Sequence, residues 1–373
     1  VSEFRVPLTT IKDVQVHPNA HSLDIVKVYD FNVIVSKNRY KKDDVVIYVP
    51  IDSILPQNLA DKLFPQGSKI KLNKNRIKQI KIRGSYSQGI IIDLEDLADN
   101  SYTILENDYS EALGITKYEP GPAPFEGSTG AQKRDKPKQN PLFHQYNGIE
   151  NIKWYPDLFK EDEEVVIQEK LHGTNCRAAI LPYKANTLWK KIKKLLGMAP
   201  EFERCYGSNM VQLQERRGYT GFYGEDVYGK VLKKINAFDK IKPGETIYGE
   251  LIGEGIQKNY NYGHKEHHFV LFDVKILDSQ SGEQKWLSPE EAEQYANERG
   301  FSFVPCLYRG TFNKGLAYEL TKGASKYHPE TKVMEGLVIK SRYNYNDYGM
   351  SSNKRALKWL SEKYLDKDQS DFH

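Results

Sequence analysis

Apolar and polar residues alternate in short runs between Leu23 and Leu97, in DIVKVYDF, NVIVSK, DDVVIYVP and SQGIIIDL, each closed by polar, Gly or Pro turns. A two-residue period over such lengths marks a half-buried strand. The same alternation in Ile80, Lys81, Ile82 and Arg83 predicts isoleucines toward a core and cations on the outer face. Beyond Pro141, strand-like runs (EEVVIQEK, TIYGELIG, HFVLFDVKIL, MEGLVIK) alternate with helix-like stretches, notably 225–240 and SPEEAEQYANERG. Ser288, with Pro289 next and Glu291 three residues on, predicts a helix start closed by a capping box. TLWKKIKKLLG reads as a short basic amphipathic helix that could lie on a membrane or bind a partner, but is taken as a surface insertion.

About five strands in fewer than about a hundred residues suit a small OB-like β-barrel, an architecture often used to hold nucleic acid. Residues 118–145 are rich in Pro, Gly, Lys and Gln and predict a linker. The expected organisation is a barrel over 1–117, the linker, and a larger α+β domain over 146–373.

A net charge of +4 says little for 373 residues, but its distribution says more. Between Gly67 and Ser85 the chain carries Lys69, Lys71, Lys74, Arg76, Lys78, Lys81 and Arg83 and no acid. This is either a solvated edge or a phosphate-contacting surface. No apolar run is long enough to span a bilayer, and VSEFRVPLTTIKD lacks the layout of a secretory signal, so a cytoplasmic or nuclear monomer without membrane contact is expected. Cys176, Cys205 and Cys306 are scattered, which predicts reduced thiols and no cysteine-rich metal site. His264, His267 and His268 form a surface loop cluster more readily than a metal site.

The chemistry concentrates at Gln168 to Asn175, QEKLHGTN, where Lys170 ends a strand beside Gly173. Alone, such a lysine is an ordinary solvated strand end, just as Tyr248 and Phe272 alone are core aromatics. Together with YGE at Tyr248 to Glu250, FVLFDV at Phe269 to Val274, EGLVIK at Glu335 to Lys340 and the run ending at Lys358, it forms a set suited to attack on the α-phosphate of ATP. An ordinary lysine amine titrates near 10.4, so baring its lone pair at neutral pH costs about 4 to 5 kcal/mol. Nearby cations, including Mg²⁺ or Mn²⁺ held by Glu250 and Glu335, would lower that cost and neutralise phosphate charge. No GxxxxGK[ST] occurs, so a P-loop is excluded.

KLHGTN, YGELIGEGIQKNYNYG, FVLFDVKI, EGLVIK and LKWLSEKY resemble motifs I, III, IIIa, IV and V of the covalent nucleotidyltransferases. KLHGTN and GELIGEGIQK are similar to RNA ligases of the RNA ligase 2 kind, and SLDIVKV, KKDDVVIYVPIDSILP and IRGSYSQGI resemble the OB module of the RNA ligase 5 family. The resemblance implies an OB-like barrel followed by a nucleotidyltransferase α+β domain. It implies an ATP-dependent RNA ligase that acts on RNA or an RNA-containing duplex in nick repair. By that resemblance Lys170 forms the lysyl-adenylate, with Glu169 near adenine and Asn175 near the sugar or the nucleic-acid end. His172 and Gly173 support motif I or the second step. Tyr248 and Val338 sandwich the purine, Glu250 and Glu335 organise the metal, and Lys340, Lys358 and Lys354 contact phosphates. The motif Ia arginine is left among Arg204, Arg216 and Arg217. DNA ligases and capping enzymes usually have Asp at the His172 position, which favours RNA. The alternatives are those two enzymes and an inactive OB-type nucleic-acid-binding protein.

Overall fold

The computed structural model describes residues 4–68, 70–94, 108–118, 139–213, 225–257, 260–278, 280–346 and 353–366. The chain forms two compact units, one built on residues up to 122 plus Glu150–Leu158 and the segment from Leu365, the other on 123–149 and Phe159–Tyr364.

In the first unit five antiparallel strands lie in the order Phe31–Ser36, Leu23–Val28, Leu8–Val16, Val45–Val49, Ile90–Ile92. The predicted strands are present, together with a central one, Leu8–Val16, that the alternation does not predict. A register shift between Ile11 and Asp13 breaks its period, the usual effect of a bulge. The outer strands are tied together by Ile34 N donating to Ser87 Oγ at 3.0 Å and Gln88 N to Asn32 O at 2.8 Å, which nearly closes an OB-like barrel. Trp154 belongs to this core. Its ring meets Tyr29, Phe31 and Tyr48 edge-on at 5.0 to 5.5 Å, and Lys153 Nζ donates to Gln88 Oε1 at 2.6 Å.

The second unit sets two antiparallel sheets face to face. In one, Ala356–Leu360, Gly336–Ser341, Glu164–Lys170 and Cys306–Thr311 are successive neighbours. In the other, Phe202–Ser208, Thr174–Pro182, Glu245–Ile252, His268–Leu277 and Gln284–Trp286 are. Helices Val227–Lys234 and Pro289–Arg299 cover the outer face of the second sheet through Ala178, Ile247, Leu271 and Val274. The predicted capping box is present, with Ser288 Oγ accepting from Glu291 N and Glu291 Oε2 from Ser288 N. The inner faces meet in a cluster of Ile149, Tyr248, Trp286, Tyr345 and Ala356 joined by Tyr146, Phe272 and Val338. The tail of the expected linker, from 139, belongs to this packing. Phe143 is fully buried, and its carbonyl accepts from Arg177 Nη1. Residues 119–138 lie outside the described residues.

Candidate active site

Strand pairing decides which side chains share the inner face. Lys170 pairs with Gly336, Gln168 with Val338, and Val338 with Lys358, so Lys170, Val338, Lys340 and Lys358 lie on one side of their sheet. On the facing sheet Asn175 pairs with Glu250 and Arg177 with Tyr248.

The part-exposed Lys170 Nζ donates to Glu335 Oε1 at 2.6 Å, while the Glu335 side chain is almost wholly buried. His172 Nδ1 lies 3.8 Å from Glu335 Oε2, and Gly173 N donates to Glu250 Oε1 at 3.1 Å. Gly173 is required by close approach, since a Cβ there would meet Leu251 O at 2.2 Å and Glu250 Cγ at 2.8 Å. Burial pushes the Glu250 carboxyl up to about 8, opposed by Lys170 and reinforced by Glu335. His172 is held below the ordinary imidazole range, mainly by burial, against the pull of Glu335. Its ring meets Tyr260 and Tyr364 edge-on, and Tyr364 Oη lies 3.2 Å from Nδ1. The Asn175 Oδ1 is buried with no hydrogen-bond partner, a polar atom aimed into the site. Two desolvated carboxylates offering only oxygen donors fit a hard divalent cation such as Mg²⁺ or Mn²⁺.

Deeper in, Lys340 Nζ donates to Asp273 Oδ1 at 2.9 Å and to Phe272 O at 2.8 Å. Asp273 also accepts from the Tyr146 and Tyr345 hydroxyls. Lys354 is fully buried, with its Nζ 3.3 Å from the Tyr146 ring centroid and 4.1 Å from that of Trp286. Burial lowers Lys340 and Lys354, and brings Lys275 down to about 8.

Several expectations need correction. Tyr248 is 0 % exposed, its hydroxyl donates to His144 O at 3.0 Å, and Tyr146 and Trp286 pack its ring, which leaves no face for a purine. Phe272 is half-buried against the same cluster as Val338. It sits at a bulge, because Tyr248 pairs with Asp273 but Gly249 with Leu271, so Phe272 is the extra residue, and bulges commonly re-aim a side chain beside a site. The signal is the unbroken apolar stretch Phe269 to Phe272, which breaks strict alternation. Glu169 turns to the opposite face. Its Oε2 accepts from Lys326 N and Tyr327 N, and Oε1 is buried without a partner, so its carboxylate does not line the inner face. Arg204 is exposed beside Asp239 on the helix-covered face, away from Tyr248 and Glu250. Arg216 and Arg217 lie outside the described residues.

On the barrel, Lys74, Lys81 and Arg83 are exposed and Lys78 is half-buried. Arg83 stands in a turn at φ 48°, beyond the end of the strand Ile80–Ile82, so the strand's alternation does not set its direction. Arg76 is buried, bonded to Asp52 Oδ1 at 2.6 Å and 3.7 Å from the Tyr118 ring centroid, so it is a structural cation. Among the described residues no group of three or more His, Cys, Asp or Glu has metal-binding geometry, and His264 and His268 stack at 3.8 Å instead. No helix among them is long and apolar enough to cross a membrane.

A family model described as RNA ligase matches residues 163–360, and an OB-fold domain model matches 6–94. The Naegleria gruberi RNA ligase with PPi has a TM-score of 0.73 at 19 % identity over 99 % of both chains. A lysine-to-alanine mutant of that ligase with ATP and Mn has 0.73 at 20 % over 99 % of this chain and 100 % of that one. A mutant with AMP and Mn has 0.69 at 19 % over 96 % and 97 %.

Proposed function

From the premise that this chain belongs to the RNA ligase family, we propose that it uses ATP to join a 5′-phosphate RNA end to a 3′-hydroxyl through a covalent intermediate on Lys170. The observation that carries this reading is the pairing of Lys170 Nζ with Glu335 Oε1 at 2.6 Å at the mouth of a site lined by carboxylates in front and lysines behind.

The amine must lose a proton before it attacks, and Glu335 Oε1 is within reach to accept it. Lys170 Nζ then bonds to the α-phosphorus of ATP, the bond to the β-phosphate oxygen breaks, and pyrophosphate leaves with that electron pair. The resulting phosphoramidate gives its AMP to the 5′-phosphate of RNA, which frees the lysine. A 3′-hydroxyl attacks the activated phosphate, loses its proton and expels AMP. Phe272 and Val338 hold the purine between them, while Lys340, Lys354 and Lys358 attract the phosphates. Asn175 Oδ1 offers a buried acceptor to a sugar hydroxyl. Glu250 and Glu335 would hold Mg²⁺ or Mn²⁺, whose charge, when bound, stabilises negative charge on the phosphate oxygens. The exposed Lys74, Lys81 and Arg83 serve the nucleic-acid backbone. The reading extends to repair of nicks that end in a ribonucleotide 3′-hydroxyl, on the resemblance of the motifs.

The test is incubation of wild type and Lys170→Ala with ATP labelled at the α-phosphate and a divalent metal, followed by denaturing electrophoresis. Acid-labile label on wild type alone supports the intermediate. Labelling of the variant, or of neither protein with ATP, sinks it, and labelling by GTP alone moves the reading to capping.

A further inference from the structure

The helix Leu188–Leu195 is inverted relative to an ordinary surface helix. Its start is capped by the Thr187 hydroxyl, which accepts from Lys190 N at 3.2 Å. Leu188, Trp189, Ile192, Leu195 and Leu196 follow at i, i+1, i+4, i+7 and i+8, a spacing that gathers them on one face. That face points outward. No residue of the helix is buried, and Leu188 is 77 %, Trp189 66 % and Leu195 86 % exposed. The cause is the tether on the other side, where Lys190 Nζ bonds Glu203 Oε2 at 2.5 Å and lies over the Tyr183 ring.

The helix carries Lys190, Lys191, Lys193 and Lys194 and no acidic residue. At about 100° per residue, Lys191 and Lys193 fall on the two flanks of the apolar stripe. A second copy of the chain is a poor cover, because the outer face of a helix about 12 Å long presents far less than the roughly 800 Å² per partner of a stable interface. An RNA backbone would satisfy the lysines and leave the stripe in water. An anionic bilayer satisfies both, with the leucines and isoleucine at the acyl boundary, Trp189 at headgroup level and the flanking lysines among lipid phosphates.

We propose that the helix Leu188–Leu195 is an interfacial anchor that docks this chain reversibly on an anionic phospholipid surface. This departs from the expectation of no membrane contact, which rested on the absence of a spanning segment. A single short anchor gives weak, salt-sensitive binding.

The experiment floats the full chain with vesicles of phosphatidylcholine alone or with phosphatidylserine, at low and high salt. The expected result is flotation on the phosphatidylserine vesicles at low salt, release at high salt, and a bound fraction lowered about tenfold in Trp189→Ser/Leu195→Ser. The variant should melt with wild type, since both side chains are exposed. The part of the tryptophan emission that wild type has and Trp189→Ser/Leu195→Ser lacks should shift to the blue on those vesicles, because the Trp189 ring leaves water. Failure of wild type to float, or equal flotation of the variant, overturns the proposal. So does light scattering that finds a dimer the variant breaks, or loss of RNA affinity in the variant without flotation.

Discussion

Lys340 and Asp273 form an ion pair at 2.9 Å in which neither side chain is more than 2 % exposed. Lys354 lies near enough for Asp273 to favour its charge and for Lys340 and Lys275 to oppose it. Burial and mutual repulsion hold these lysines below the ordinary range, and a bound pyrophosphate or nucleotide would favour their charged forms. Asp273→Asn should therefore destabilise the second unit by about 3 to 5 kcal/mol, the range for removing one partner of a buried pair. Pyrophosphate should raise the variant's melting temperature more than it raises that of wild type. An equal shift in both would separate this pair from phosphate binding.

Glu250 gives a pH dependence with a definite sign. In the unfolded chain its carboxyl ionises near 4.5, while in the folded one it keeps its proton up to about 8. Stability from this group is complete below the unfolded value and is lost as pH rises from about 4.5 through about 8. In denaturant titrations the difference between wild type and Glu250→Gln should follow that window. Since a metal competes with the same proton, Mn²⁺ should bind wild type more tightly as pH approaches 8, a trend Glu250→Gln should lack.

Phe272→Ala should raise the KM for ATP in the labelling reaction about tenfold, through loss of ring stacking and apolar contact, with a smaller change in kcat. Tyr248→Phe removes only the hydrogen bond to His144 O and should cost about 1 kcal/mol of stability with little change in KM. The reverse pattern in initial rates would return the purine to Tyr248.

How far the site was legible depends on the kind of information each residue carries. Lys170, Glu335, Glu250 and His172 sit in short motifs whose local spacing brings them to one strand end or its partner, and the structure draws them together. The strands of both units and the start at Ser288 were readable because alternation and capping are local. What alternation cannot supply is the face beyond a bulge, and so it predicts neither Leu8–Val16 nor the aim of Phe272. Nor could it supply partners distant in sequence. Asp52 and Tyr118 claim Arg76, and Arg177 claims a stretch whose Pro and Gln content resembled a tether.

Arg76→Ala should for that reason behave as a core mutation. Removing the guanidinium leaves Asp52 without its partner and Tyr118 without its stack, for a loss of about 3 kcal/mol in the first unit. Lys81→Ala and Arg83→Ala should melt like wild type and weaken RNA binding with a shallower salt dependence. Calorimetry and RNA titration at several salt concentrations check the two halves separately.

Trp154 sets an order of events during synthesis. The barrel's last strand, Ile90–Ile92, is made some sixty residues before the indole that plugs its aromatic end against Tyr29, Phe31 and Tyr48. A nascent chain that has just passed residue 118 therefore has all its barrel strands but a core open to water. The residues around Trp154 follow the second unit's first segment, and the piece from Leu365 follows nearly all of the rest, so the first unit to be started is the last to be completed.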